Sequence, residues 1–166
     1  MRFIRGLLLA FVGLAAALLV TTSASAATKG AHFFNVSSTV NDAGSLLVSY
    51  DEAGVGNATV NYTINITDAT AVYACINGGG NHPKAANKET VSSALTVSFS
   101  RDPVNGRVTG TTSPPIGPTG KGAFACPSGQ TLVLASVSYS GITLTDTTNN
   151  VSTAVPNASR TFVNLA

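Results

Sequence analysis

The stretch "NATVNYTINIT", residues 57–67, sets Ala58, Val60, Tyr62, Ile64 and Ile66 in alternation with Asn57, Thr59, Asn61, Thr63, Asn65 and Thr67. A period of two sustained over this length places the apolar side chains on one face of a β-strand and the amides and hydroxyls on the other. One face is then buried and the other wet. The same stretch contains three N-x-S/T triplets, at Asn57, Asn61 and Asn65, and three more begin at Asn35, Asn150 and Asn157. Three glycan acceptors so close on one strand would crowd each other, so the triplets are read as the polar face of a strand and not as modification sites.

The pattern recurs outward from this strand. Residues 91–101 put Val91, Leu95, Val97 and Phe99 on one side and Ser92, Thr96, Ser98 and Ser100 on the other. Residues 46–52 turn Leu46, Val48 and Tyr50 inward; residues 131–141 group Val133, Ala135, Val137 and Tyr139; and residues 142–146 pair Ile142 with Leu144. "ATAVYACI", residues 69–76, is apolar on both faces and suits a central strand. Segments 31–40 and 160–165 suit edge strands. Asn105-Gly106 between two alternating runs is a hairpin signal and predicts that 91–101 pairs with 107–112. The Pro- and Gly-rich segment 111–122 is expected to be a surface crossover between sheets. With no sustained helical period, the expected architecture is all-β: an antiparallel Ig-like β-sandwich of roughly seven to nine strands with one disulfide.

Residues 1–26 carry Arg2 and Arg5, an apolar run from Gly6 to Val20, and the small-x-small ending Ala24-Ser25-Ala26. This is the pattern of a secretory signal peptide, and the run is shorter than the roughly 20 residues that span a bilayer. Cleavage before Ala27 leaves 27–166 as a single β domain, secreted and extracellular, with no membrane attachment. The chain has nine basic and seven acidic residues, and losing Arg2 and Arg5 with the leader balances the two. A neutral chain without a basic cluster has no counterion-release drive to bind nucleic acid.

The segment "CINGGGNHPKAANK", residues 75–88, concentrates the reactive groups. In an oxidising compartment, Cys75 and Cys126 are expected to form one intramolecular disulfide and not a catalytic thiol. The glycines lack the Gly-Lys-Ser/Thr ending and the helix that a phosphate loop needs, and Pro83 interrupts an early helix. Asn77, Gly78, Gly79, Gly80, Asn81, His82, Lys84 and Lys88 therefore read as a polar binding loop on the rim of the sandwich.

No cofactor is expected, nor a metal: two histidines and two paired cysteines do not make a zinc set, and Asp146, Asn149 and Asn150 form at most a weak calcium turn. No G-x-S-x-G elbow occurs, and Asp51 and Glu52 point to opposite faces of their strand, a poor acid/base couple. Tyr50, Tyr62, Tyr73 and Tyr139 lie at inward or apolar positions and are expected in the core. There is no Trp for a sugar-stacking surface.

The succession of "EAGVG", "YACINGGGNHPKAANK", "CPSGQ" and "VSYSGITLTDTT" resembles an uncharacterised family of small secreted β-rich proteins of actinomycete bacteria. The resemblance covers most of the chain after the leader. It implies a bacterial extracellular setting, in which some such proteins serve as adapters in exported assemblies. The expected function is a non-enzymatic binding or assembly module with an extracellular protein partner, acting through rim loops or edge strands. The alternatives are a secreted hydrolase using His82 and Lys84, and a structural protein of the cell surface.

Overall fold

The computed structural model describes residues 30–77, 87–112, 116–118 and 120–165. Eight strands run in order: β1 His32–Val40, β2 Leu46–Ala53, β3 Val60–Asn77, β4 Lys88–Arg101, β5 Arg107–Thr111, β6 Gln130–Asp146, β7 Val151–Val155 and β8 Ala158–Thr161. They form two antiparallel sheets and, among the described residues, no helix. The first sheet has the order β1-β2-β5. The second has the order β4-β3-β6-β7, and β8 pairs with β6 beyond the end of β7. The expected leader, residues 1–26, lies outside the described residues.

The alternating strands meet as their faces require. Leu46, Val48 and Tyr50 of β2 are buried with Val60, Tyr62, Ile64 and Ile66 of β3 and Ile142 and Leu144 of β6 in one core. Each such side chain contributes roughly 1.5–3 kcal/mol by leaving water. On the outer face, the residues that sequence counting set opposite the core hydrogen-bond across the ladder. Ser100 donates to Asn61 at 2.7 Å, Thr96 donates to Asn65 at 2.9 Å, and Thr63 meets Ser98 at 3.1 Å. Asn61 and Asn65 are thus working members of a polar sheet face. Ala58, expected at the start of this strand, is exposed instead, because β3 begins at Val60.

Two pairs of expected strands are fused. Residues 57–67 and 69–76 belong to the one strand β3, and 131–141 and 142–146 to the one strand β6. In each, the buried parity shifts by one residue at the join, from Ile66 to Ala69 and from Tyr139 to Ile142. Thr67 and Gly141 face each other at these joins, and Gly141 has φ 62°. A Cβ on Gly141 would lie 2.6 Å from Thr67 Oγ1 and 2.7 Å from its Cβ, so the close approach as well as the backbone requires glycine.

The expected pairing of 91–101 with 107–112 does not form. β4 bonds to β3 in one sheet, and β5 bonds to β2 in the other. The Asn105-Gly106 turn does fold tightly, with φ 52° and 74° and mutual backbone bonds between Val104 and Arg107 of 2.8 and 3.1 Å. Pro103, which has no N–H to donate, precedes it, and pairing stops at that single bridge. A local hairpin signal therefore became a corner between sheets.

Candidate functional site

The predicted rim loop connects β3 to β4. Cys75 and Cys126 are bonded, with Cα atoms 5.5 Å apart and a sequence separation of 51. Asn77 ends β3 opposite Gln130, and Lys88 opens β4 opposite Ala74. Cys75 N–H donates to the carbonyl of Asn87 at 3.0 Å, and the Asn87 amide donates to Gln130 Oε1 at 3.2 Å. Gly78, Gly79, Gly80, Asn81, His82 and Lys84 lie outside the described residues. The structure thus fixes the two stems of the loop and the disulfide beside them.

The opposite end of the sandwich holds a polar cluster. Glu52 continues the inward alternation of β2, and Asp146 continues that of β6; both are 0% exposed. Tyr62 donates to Glu52 Oε2 at 2.7 Å. Asp146 accepts from the backbone N–H of Thr148 and Asn149 at 2.8 and 2.9 Å, and from the Asn149 amide at 2.6 Å. Tyr50, Tyr62, Phe33 and Phe99 enclose the site, with Tyr62 stacked on Phe99 at 5.2 Å between ring centres. Burial and the neighbouring Asp146 carboxylate push the Glu52 carboxyl up to about 7, against the pull of the Tyr62 hydrogen bond. Among the described residues Glu52 Oε1 has no hydrogen-bond partner, and interaction with the Asp146 side chain favours the protonated form of Glu52.

Burial also raises Tyr50 to about 12 and Tyr139 to about 12, and raises Tyr62, where the bond to Glu52 adds to it. The enclosed carboxyls cannot touch a substrate, so they are not an acid/base couple. Asp51, one residue from Glu52, faces the other way as the alternation requires. Arg107 bonds it through Nε at 2.6 Å and through Nη2, and Thr109 donates to it at 3.0 Å; the Arg107 bond holds its carboxyl below the usual range. The turn considered for calcium is already satisfied by its own amides, and among the described residues no group of three His, Cys, Asp or Glu could hold a metal.

The two lateral sides of the sandwich differ. On one, β1 is tied to the β7–β8 edge: Ser38 donates to the Pro156 carbonyl at 2.5 Å, and Arg160 bonds the Val40 carbonyl at 3.2 Å and the Asp42 carboxylate at 2.6 Å. On the other, β4 and β5 are the terminal strands of their sheets. At the corner that joins them lies a cleft of about 310 Å³ lined by Arg101, Asp102, Val104, Arg107, Val108 and Thr109. Val104 is 73% exposed, the large apolar residue most open to solvent among those described. Sequence reading did not single out this surface, because it depends on β4 and β5 lying in different sheets. Comparison of the chain with protein-family models, curated proteins and solved structures finds no match.

Proposed function

We propose that the protein is a secreted, non-enzymatic binding or assembly module that takes an extended segment of an extracellular protein partner along the open side of its sandwich. The supporting observation is the contrast between the two sides: β1 is hydrogen-bonded to the β7–β8 edge, whereas β4 and β5 end their sheets beside a cleft bearing exposed Val104. A terminal strand offers a row of backbone donors and acceptors to an added strand, and a neighbouring cleft can select its side chains. The disulfide is compatible with an oxidising, extracellular compartment.

The test is recovery of the tagged protein from the culture fluid of its native host. A stoichiometric partner that the wild type retains and Val104→Arg loses, at an unchanged melting temperature, supports the reading. A partner-free protein that turns over a substrate, with turnover abolished by His82→Ala, overturns it in favour of the hydrolase.

A further inference from the structure

The strands at the sheet edges are not alike. β1 carries a bulge between Phe34 and Ser37, with Asn35 at φ 55°; β5 is five residues long; and Pro156 interrupts the β7–β8 edge. These are the devices that keep sheet edges from pairing with other chains. β4 has none of them. It runs 14 residues without proline or glycine, and its charges sit only at its ends, as Lys88, Glu89 and Arg101. Leu95, Val97 and Phe99 pack against the core but stay partly exposed, because among the described residues no strand lies beyond β4.

We propose that β4 pairs antiparallel with β4 of a second copy of this chain, joining two five-stranded sheets into one continuous sheet about a two-fold axis at Leu95. This rests on the assembly reading above and specifies one partner. The sequence of β4 selects the register. With Leu95 opposite Leu95, Glu89 faces Arg101 of the second copy, Val91 faces Phe99, and Ser93 faces Val97. The two-fold repeats each pair. Apolar residues stay on the core face only if the strand slides by two residues at a time. The nearest slides set Glu89 opposite Phe99 or Pro103, so the ion pairs form only in the centred register. Within its own chain, among the described residues, Arg101 lies over the Phe99 ring at 5.2 Å and bonds the Ser100 carbonyl, and neither it nor Glu89 has an ion-pair partner. In this arrangement β4 and Arg101, which lines one side of the cleft, belong to the dimer, and β5 with Val104 remains for the partner proposed above.

The test is mass in solution by sedimentation or light scattering over a range of concentrations, with thermal melts to show that each variant folds. The wild type is expected to be a dimer. Glu89→Arg and Arg101→Glu, each acting twice across the axis, should raise the dissociation constant at least about tenfold. The double variant E89R/R101E should restore it. A wild type that stays monomeric, a dimer indifferent to the single changes, or singles not rescued by the double overturns the proposal. If the monomer still retains a partner through Val104, self-pairing falls while the binding reading stands.

Discussion

The two ends of the β3–β6 ladder are closed by opposite means. At one end, Cys75 is bonded to Cys126 beside the stems of the predicted loop. At the other there is no covalent tie, and the sandwich is closed by aromatic rings around Glu52 and Asp146, both fully buried. A bond stabilises chiefly by restricting the unfolded chain, whatever the pH. Glu52 is disfavoured as a charged group there, since burial and the neighbouring Asp146 carboxylate both raise its carboxyl. One end is therefore indifferent to acidity, whereas at the other the Glu52 carboxyl responds to it. The boundary between them is the parity shift at Thr67 and Gly141.

Three measurements break or sharpen this contrast. Replacing both Cys75 and Cys126 with alanine should cost about 4 kcal/mol of unfolding free energy, as expected for opening a loop of 51 residues, read from denaturant melts. The loss should be the same at pH 5 and pH 8. Gly141→Ala, at the boundary, should cost about 1–3 kcal/mol, because it adds a Cβ at positive φ against Thr67. A cost near zero would show that the two halves are not locked by that contact.

The third measurement is the most diagnostic. Glu52 is raised from 4.5 in the unfolded chain to about 7 in the fold, so the folded state binds the extra proton between those values. Its contribution is full below pH 4.5 and is lost as pH rises through 7. The melting temperature should therefore climb as pH falls from 8 to 5. Glu52→Gln, which keeps an acceptor for Tyr62 and a donor toward Asp146, should flatten that dependence and melt higher than the wild type at pH 8. A wild-type profile flat from pH 5 to 8 would remove the proton from the cluster.

The alternation that defines β2, β3 and β6 was legible, and so were the disulfide and the inward positions of Tyr50, Tyr62 and Tyr139. Period two is a local property, set by where successive Cβ atoms point. The fusion of strands was less visible, because the parity shift in β3 and again in β6 reads along the chain as a break. Asn105-Gly106 gave the turn correctly and the pairing wrongly: a turn fixes two residues, but sheet membership is decided by distant partners. Glu52 and Asp146 each extend an inward alternation by one step, and that parity was the available signal. Their meeting across the two sheets was not readable from either strand alone. The open side was hidden for the same reason.

The position of the disulfide has a consequence for how the chain folds. β3 and β6 are far apart in sequence, and strand pairs of such separation form slowly because a long loop must close before any contact rewards it. Cys75 lies near the end of β3, and Cys126 just ahead of the start of β6. Once these two are oxidised, the long closure has already been made. The remaining task is to zip Asn77 and Gln130 through to Tyr62 and Asp146, as in a hairpin whose turn is covalent. Oxidation thereby shortens the effective contact order of the central ladder and narrows the interval in which a half-made sheet stands open to aggregation.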